Sequence, residues 1–508
     1  MSAAKISRVL IANRGEIAVR IARSCQQMGL EAVGVFSTHD EQAMHVRQMN
    51  RAFPLGGEHI AQTYLNGEQL IDIAKRSDAQ AIHPGYGFLS ENAAFAQRVL
   101  DAGLIWVGPP PSAMAAMGDK AQAKFLMRQA GVPVLPDIVL SPKNLPDEAS
   151  LKKRVQEEIG YPLLVKATGG GGGKGMRRVD REDQLLESLH HVISEAEAAF
   201  GHGNVLLERY LPTARHVEVQ ILGDQNGHIV HLYERECSLQ RRHQKIIEES
   251  PCVALESATR QKMLDAAVAA AKAVEYTNAG TVEFLWDQAS DAFYFLEMNT
   301  RLQVEHPVTE WRTGLDLVAL QIQIAQGEPL PFTQADIHAS GHAIECRLYA
   351  ENPALGFLPA TGVLSVFDVP QAPFIRLDSG VEAGDSVSVY YDPQLAKLSV
   401  LAPTRQMALS RMVWALERTA ILGVETNATF LRKLLQHPQV SRDQTHTQWL
   451  TPERIAQIIQ FSEPTEPPPT SALLAVASVA QWQTALKTPR PVEEPLDRDP
   501  YSPWNSRP

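Results

Sequence analysis

The chain of 508 residues is 44% apolar and 21% charged, a balance typical of a soluble globular protein with room for about three domains. A formal net charge of −11 argues against a general affinity for nucleic acid or anionic membranes. No run approaches the roughly 20 apolar residues of a membrane helix, no N-terminal stretch fits a signal peptide, and the four widely spaced cysteines favour a reducing cytoplasm over a disulfide framework.

Residues 1–115 are predicted to form an open, Rossmann-like α/β domain. A strand over 8–12, a helix over 15–28 and a strand over 32–36 make a β-α-β unit, and the same alternation continues through the rest of the domain. The first strand-to-helix turn lacks two of the glycines that a dinucleotide-binding fold needs, which argues against such a cofactor. A glycine-rich loop at 83–92 follows a strand, where sheets of this kind place ligands.

A second domain is predicted over residues 116–330, after the prolines at 109–111, and it carries two groups of cationic side chains. A helix over 117–127 holds Lys120 near its first turn. The stretch 236–245 is the most basic part of the chain and could offset the charge of a nucleotide triphosphate. The alternative for that stretch is a solvated basic loop.

Five consecutive glycines at 169–173 stand between predicted strands over 161–167 and 176–179. Because glycine has no Cβ, the backbone amides of such a loop can surround phosphate oxygens, with Lys166 and Lys174 beside them. The loop fits neither the Walker pattern nor the helix-linked dinucleotide pattern. We interpret it as a phosphate lid, with a flexible linker as the alternative.

Two strands over 280–286 and 293–299 are predicted to form a hairpin. If its loop has an odd number of residues, for example 288–292, Glu283 faces Glu297 directly across the ladder. Facing carboxylates repel unless a cation lies between them, and hard oxygen ligands suit Mg²⁺ or Mn²⁺. Strand alternation continued into an extended tail places a polar set on one side, namely Glu297, Asn299, Arg301, Gln303 and Glu305. We predict a divalent-metal site here, with a solvated polar face as the alternative.

The C-terminal part is predicted as a further domain over 331–447, followed by a tail over 448–508. Ten prolines fall among the 45 residues of 464–508, a composition typical of a linker.

Seven segments together carry a strong resemblance to the biotin carboxylase family: residues 8–16, 83–92, 118–120, 166–176, 236–245, 297–309 and 341–347. The resemblance extends in order from about residue 5 to about residue 447. It implies a Rossmann-like N-terminal domain, an ATP-grasp central domain with a mobile glycine-rich lid at about 140–210, and a C-terminal biotin carboxylase domain. The reaction it implies has two steps, in which ATP converts bicarbonate to carboxyphosphate and the released CO₂ is captured by a ureido nitrogen of biotin.

The resemblance also implies a role for individual residues. Those expected to contact ATP are Lys120, Lys166, Gly171, Gly172, Gly173, Glu208, Arg209, Leu211, His216, Gln240 and His243. Those expected to ligate Mg²⁺ or Mn²⁺, as two ions, are Glu283, Glu297 and Asn299. Those expected to form the bicarbonate pocket are Lys245, Arg301, Gln303, Val304 and Glu305.

Four residues are expected to be catalytic, namely Glu305, Arg347, Arg301 and Lys245. Glu305 matches the family's general base, and Arg347 matches the arginine that stabilises the biotin enolate, a role that suits a permanently charged guanidinium. One mild departure is Arg209, which stands where the family pattern leads us to expect lysine. Ordinary surface ion pairs are the alternative for each of these residues.

Biotin is expected to arrive on another chain, because the sequence contains no Met-Lys-Met biotinylation motif. The expected partners are therefore a biotin carrier, a carboxyltransferase subunit and a second copy of the chain, in an acyl-CoA carboxylase of the acetyl-, propionyl- or methylcrotonyl-type. A pyruvate-directed partner is a variant of this hypothesis. Two alternatives are another ATP-grasp ligase, such as a carbamoyl-phosphate-forming enzyme, and a non-catalytic assembly subunit.

Overall fold

The computed structural model describes residues 6–168 and 176–460, together with residues 478 and 481. The predicted lid glycines Gly171, Gly172 and Gly173 and nearly all of the predicted tail after residue 460 lie outside the described residues. None of the described helices is both long and apolar enough to cross a membrane.

The N-terminal region is built on a five-stranded parallel sheet in the order β3-β2-β1-β4-β5, as the Rossmann-like prediction requires. The strands are β1 (Arg8–Ile11), β2 (Glu31–Phe36), β3 (Arg51–Pro54), β4 (Ala81–His83) and β5 (Ile105–Trp106). The helices are α1 (Gly15–Gln27), α2 (Met44–Gln48), α3 (Gly67–Arg76), α4 (Ala93–Asp101) and α5 (Pro111–Gly118).

The glycine-rich loop 83–92 packs against the turn that follows β1. Asn13 Nδ2 donates hydrogen bonds to the carbonyl oxygens of Pro84 and Tyr86, at 2.7 and 2.8 Å. Gly85 has a φ of +66°, and a Cβ there would come within 2.9 Å of Asn13 Nδ2. Glycine is therefore required at this position by both backbone conformation and space.

A four-stranded antiparallel sheet in the order β6-β9-β7-β8 forms the lid region. Its elements are β6 (Asp137–Leu140), α7 (Glu148–Glu158), β7 (Leu163–Ala167), β8 (Met176–Val179), α8 (Leu185–Phe200) and β9 (Val205–Arg209). Helix α6 (Lys120–Gln129) precedes this region and packs against α5. The prediction of one helix over 117–127 is wrong in detail, because α5 ends at Gly118 and α6 begins at Lys120. Asp119 separates them by accepting a hydrogen bond from the Gln122 N–H, which makes it the cap of α6.

An eight-stranded sheet in the order β14-β13-β10-β11-β12-β15-β22-β20 forms the centre of the structure. Its first strands and the helices beside them are β10 (Arg215–Gly223), β11 (Ile229–Arg241), β12 (Gln244–Ser250), α9 (Ser257–Ala273), β13 (Asn278–Asp287), β14 (Ala292–Asn299), α10 (His306–Thr313) and α11 (Leu317–Ala325). The basic stretch 236–245 is thus not a solvated loop but two strands joined at Arg242 and His243, whose φ angles of 50° and 66° close a tight turn.

The same sheet continues through the C-terminal region, since β12 pairs with β15. The remaining strands are β15 (His342–Tyr349), β16 (Glu351–Asn352), β17 (Leu358–Pro359), β18 (Gly362–Val363), β19 (Val366–Asp368), β20 (Ile375–Ser379), β21 (Ser386–Val387), β22 (Gln394–Ala402) and β23 (Ala420–Leu422). The remaining helices are α12 (Arg405–Glu417), α13 (Ala428–Gln436), α14 (Pro438–Ser441) and α15 (Pro452–Gln460). Strand hydrogen bonds between β12 and β15 therefore connect the two sides of the predicted boundary at residue 330. The domain limits stay predictions.

Candidate active site

Alternation along β10 separates the protein core from a polar cleft. Val217, Val219 and Ile221 are fully buried in the core that includes α9. The intervening side chains of His216 and Glu218 point to the opposite face of the strand. A strand of this kind holds polar groups rigidly because its apolar side is packed.

A cavity of about 810 Å³ opens on this polar face and extends to the lid sheet. Every predicted site residue that the structure describes contributes to its walls, namely Lys120, Lys166, Glu208, Arg209, Leu211, His216, Gln240, His243, Lys245, Glu283, Glu297, Asn299, Arg301, Gln303, Val304, Glu305 and Arg347. The structure therefore brings together residues that lie up to 227 positions apart in the sequence, as counted from Lys120 to Arg347.

The predicted facing of Glu283 and Glu297 is confirmed, but it arises by another route. The hairpin loop has four residues, Gln288 to Asp291, between the paired Asp287 and Ala292. An even loop would place Glu283 opposite Leu296. A β-bulge beyond Phe284 adds one residue to β14 and restores the Glu283–Glu297 pair.

The extended tail after the hairpin is not formed, because β14 ends at Asn299. The chain bends at Arg301 and turns at Val304, so both faces of this segment contribute to the cleft. Leu302 alone among residues 300–305 belongs to the apolar core. The polar residues predicted from strand alternation do line the cleft, although the strand itself continues only to Asn299.

The two facing carboxylates have opposite electrostatic surroundings. Glu283 accepts hydrogen bonds from Asn299 Nδ2 and Lys245 Nζ, both at 2.8 Å, and its other oxygen lies 3.0 Å from His216 Nε2. Burial alone would raise the pKa of Glu283, but Lys245 and His216 outweigh it and hold the pKa well below the usual value. Burial and the charge of Glu283 raise the pKa of Glu297, although Lys120 opposes them. The pair is therefore short of positive charge on the Glu297 side.

This donor set fits a hard divalent cation. The two carboxylates and the Asn299 amide oxygen are the oxygen ligands that Mg²⁺ and Mn²⁺ prefer, and Lys120 offsets only part of the rise in the pKa of Glu297 that burial and Glu283 cause. The Asn299 oxygen accepts a hydrogen bond from Arg301 at 3.2 Å, which a metal ion would replace. His216, Glu218 and Glu283 each place one potential ligand atom within 4.8 Å of the other two, so further donor groups lie beside the facing carboxylates.

Lys245 is the centre of a buried cluster. Its Nζ donates to Glu218 at 2.5 Å, Glu305 at 2.6 Å, Glu283 at 2.8 Å and Gln303 at 3.1 Å. Burial lowers the pKa of a lysine, but the three carboxylates outweigh it and raise the pKa of Lys245 well above the usual value. Lys245 therefore stays charged and holds three acidic side chains around one point of the cleft.

Glu305 stands between two cations. Lys245 Nζ lies 2.6 Å from one of its oxygens, and an Arg347 Nη lies 3.0 Å from the other. Arg347 is oriented by Glu248, which accepts a hydrogen bond from Nε at 2.6 Å. Burial would raise the pKa of Glu305, but Lys245, Arg347 and Arg235 outweigh it and lower the pKa below the usual value. The side chain is thus a carboxylate at neutral pH.

The nucleotide end of the cleft is organised by Glu208. Its two carboxylate oxygens accept hydrogen bonds from Lys166 and Lys124. Burial opposes ionisation, but the two lysines lower the pKa of Glu208 to about 2. Glu208 therefore positions cations through its side chain, whereas the backbone N–H of Arg209 is already bonded to Pro136 O at 3.1 Å. The expected contacts of Glu208, Arg209 and Leu211 with ATP stay predictions.

Arg301 spans two regions of the protein. Its Nε lies 2.9 Å from the carboxylate of Glu91, in the glycine-rich loop 83–92. Its Nη groups donate to Leu302 O at 3.3 Å and Asn299 Oδ1 at 3.2 Å. Loop 83–92 is thus connected to the predicted bicarbonate pocket, as its place in the sheet suggested.

Sequence reasoning missed five partners of the predicted residues: Glu91, Lys124, Glu218, Arg235 and Glu248. Arg235 is fully buried and donates to Glu218 at 2.5 Å. For Glu218 the alternating polar positions of β10 gave a usable signal. Lys124, Arg235 and Glu248 meet their partners through sheet pairing or helix packing, and Glu91 meets Arg301 through the packing of loop 83–92. The local sequence does not reveal these contacts.

A cleft of this kind, with a lid sheet on one side and facing carboxylates on a central antiparallel sheet, defines an ATP-grasp protein. The family model described as biotin carboxylase, N-terminal domain, matches residues 5–114. The model described as carbamoyl-phosphate synthase L chain, ATP binding domain, matches 119–333, and the biotin carboxylase C-terminal domain matches 345–452.

Known proteins agree with these matches. Biotin carboxylase 1 of Bacillus subtilis is 46% identical over 88% of this chain and 98% of its own length. The methylcrotonoyl-CoA carboxylase subunit alpha, mitochondrial, of Glycine max is 50% identical over 85% of this chain and 59% of its own. The solved biotin carboxylase domain dimer of the Hydrogenobacter thermophilus 2-oxoglutarate carboxylase, in complex with MgADP, ADP and bicarbonate, has a TM-score of 0.85 at 40% identity and covers 91% of this chain and 100% of that one.

The chain belongs to the biotin carboxylase family, a group of ATP-dependent ligases. It spans 59–60% of the length of the plant methylcrotonoyl-CoA carboxylase subunits that it matches.

Proposed function

We propose that this chain is the biotin carboxylase component of an acyl-CoA carboxylase, using ATP to activate bicarbonate and carboxylating biotin carried on another chain. The observation that carries the proposal is the position of Glu305, with Lys245 at 2.6 Å and Arg347 at 3.0 Å. These three side chains lie around one point, which supports their roles as a general base, an anion-binding cation and an oxyanion stabiliser. An ATP-grasp enzyme acting on other substrates has no need for this combination.

Binding of ATP places its triphosphate among the lysines at the lid end of the cleft. Lys120 and Lys166 neutralise phosphate charge. Mg²⁺ or Mn²⁺, held as two ions by Glu283, Glu297 and Asn299, would neutralise further charge as the γ-phosphoryl group is transferred.

Bicarbonate binds at the other end of the cleft, against Lys245, Arg301, Gln303 and Val304. The Arg301 guanidinium can offer its planar anion two parallel hydrogen bonds. Glu305 accepts the bicarbonate proton, and the resulting oxygen attacks the γ-phosphorus to give carboxyphosphate and ADP. Because bound anions offset the charges of Lys245 and Arg347, the basicity of Glu305 rises when substrate is present.

Carboxyphosphate then breaks into CO₂ and inorganic phosphate, the phosphate accepts the proton of the biotin ureido N–H, and the nitrogen forms its bond to CO₂. Arg347 stabilises the negative charge that develops on the ureido oxygen, because its guanidinium stays protonated throughout and is fixed by Glu248 at 2.6 Å. The same arginine contacts Glu305, so the two half-reactions share one wall of the cleft.

The proposed partners are a biotin carrier, a carboxyltransferase subunit and a second copy of this chain. The names of several relatives, methylcrotonoyl-CoA carboxylase subunit alpha, support an acyl-CoA carboxylase, and the dimer in a solved relative supports a homodimer. We also propose a cytoplasmic location, supported by four unpaired, buried cysteines. Recovery of a biotinylated chain and an acyl-CoA-dependent carboxyltransferase with this protein from its own cells would identify the acceptor.

The test is ATP cleavage by the purified chain with bicarbonate and Mg²⁺, with and without free biotin. We expect biotin to stimulate bicarbonate-dependent ADP release and to become carboxylated. Ammonia-dependent ADP release with carbamoyl phosphate as the product would instead favour a carbamoyl-phosphate-forming ligase. Absence of turnover from a protein that binds MgATP would favour an assembly subunit.

A further inference from the structure

A fully buried lysine lies behind the wall of the cleft. Lys397, in the middle of β22, is 1% exposed. An ammonium group loses its hydration on burial, so it persists in a fold only where partners replace the water. The identity of those partners indicates what Lys397 does.

The first partner is the backbone next to the proposed general base. Lys397 Nζ donates a hydrogen bond of 2.8 Å to the carbonyl oxygen of Val304, the residue immediately before Glu305. This segment is no longer part of β14, so sheet hydrogen bonds do not hold it. The lysine replaces a strand neighbour as the support of this carbonyl.

The second partner connects this support to the N-terminal region. Glu16, buried in the first turn of α1, has a carboxylate oxygen 3.3 Å from Lys397 Nζ. Tyr86, in loop 83–92, places its ring centroid 5.9 Å from the same nitrogen. Burial raises the pKa of Glu16 to about 7, while the charge of Lys397 acts against that rise.

The strand register explains why Lys397 acts beside Arg347. The two residues are direct partners on β22 and β15, so their side chains leave the sheet on the same face. Arg347 reaches the Glu305 carboxylate at 3.0 Å, and Lys397 reaches the Val304 carbonyl at 2.8 Å. The neighbouring cations Arg347 and Lys397 therefore hold, respectively, the side chain of Glu305 and the peptide that precedes it.

We propose that Lys397 is a positioning residue, which fixes the Val304–Glu305 peptide and thereby aims the Glu305 carboxylate at bicarbonate without touching substrate. The inference rests on the proposed function and adds a support for its general base. It also explains why a charged side chain occupies the interior of β22, where an apolar one would pack at lower cost.

The main test compares Lys397→Met with Lys397→Gln. Methionine removes the donor at similar length, and we expect kcat to fall about 100-fold, the cost of a misplaced reacting group, while KM for ATP changes less than about threefold. Glutamine keeps an amide donor without the charge, so we expect it to recover about tenfold of that loss. Equal kcat values for the two variants, or a loss that falls on ATP binding alone, would overturn the proposal.

Two further variants control for folding. Lys433→Met removes a lysine-to-carbonyl hydrogen bond of 2.7 Å to Ile459, which is remote from the cleft, and should leave kcat unchanged. The double variant Glu16→Gln/Lys397→Met removes both members of the Glu16–Lys397 pair, so it avoids an unpaired Glu16 carboxylate should the single variant fail to fold. We expect the same loss of kcat in the double variant, and wild-type kcat there would refute a role for Lys397.

Crystal structures of the wild type and the double variant with MgADP separate this inference from the proposed function. The Val304–Glu305 peptide should shift in the variant while Glu283 and Glu297 keep their positions. An unmoved peptide would overturn the inference even if the wild type is a biotin carboxylase. A wild-type protein without biotin-stimulated turnover would contradict the proposed function. A shifted Val304–Glu305 peptide in the variant would still establish that Lys397 holds this peptide in place.

Discussion

Two neighbouring regions of the cleft treat the same kind of side chain in opposite ways. On the hairpin, burial and the neighbouring Glu283 raise the pKa of Glu297. Beside it, Lys245, Arg347 and Arg235 overcome burial and lower the pKa of Glu305. The protein thus supplies its own counter-charge where the proposed base must be ionised and leaves a deficit where a metal would bind. Charge balance rather than residue type distinguishes the two roles.

The largest expected effect comes from replacing Glu305 or its partner Arg347. Glu305→Gln abolishes the base and Arg347→Ser removes the oxyanion stabiliser, so each should lower biotin-stimulated ATP cleavage by about 10³-fold. Steady-state kinetics at saturating Mg²⁺ would measure this. Unchanged stimulation by biotin in both variants would exclude the proposed roles.

Metal affinity should respond most to replacement of Glu297, the carboxylate with too little counter-charge of its own. Glu297→Gln removes one ligand and part of the repulsion, and we expect Mg²⁺ affinity, measured by titrating activity, to weaken by at least about tenfold. Glu305→Gln should leave the metal titration midpoint nearly unchanged in whatever activity remains. A comparable shift of the metal titration midpoint in both variants would contradict the separation between the surroundings of Glu297 and those of Glu305.

A smaller effect is expected at the lid. Lys124→Met leaves Glu208 with Lys166 as its remaining lysine partner, so ATP must draw Lys166 from a stronger ion pair, and KM for ATP should rise about fivefold, corresponding to about 1 kcal/mol. Lys152→Met is a matched control, because Lys152 forms an exposed pair with Glu148 at 2.6 Å in the lid. Equal KM values in the two variants would contradict the role given to Lys124.

The smallest effect concerns stability and pH. The pKa of Glu297 is higher in the folded state than in the unfolded state, so its contribution to stability is present below the unfolded pKa and is lost as pH rises through the folded pKa. Glu297→Gln should therefore unfold at a higher urea concentration than wild type at pH 8 without metal, and the difference should shrink at pH 4. With saturating Mg²⁺ at pH 8, the wild type should instead be more stable than Glu297→Gln. A wild type that is more stable than Glu297→Gln at pH 8 without metal would contradict the proposed charge deficit.

Local patterns predicted much of the fold and of the candidate site. Strand β8 has the predicted limits, Met176–Val179, and β4 has the predicted limits, Ala81–His83. Glu283 does face Glu297. Local reasoning failed where a single residue changes geometry: the bulge at Leu296, the helix break at Asp119 and the end of β14. These depend on packing around the residue, which propensity does not contain.

The sequence by itself predicted which residues would carry the chemistry, because motifs such as 297–309 contain their functional groups within a few positions of one another. Only the tertiary structure decided the charge state of those groups, since it depends on partners far away in the chain. Arg347 and Glu248 are 99 positions apart, and Lys397 and Val304 are 93 apart. The physical reason is that the pKa of a buried group is set by the charges and dipoles within a few ångströms, and sheet pairing, not chain order, chooses those neighbours.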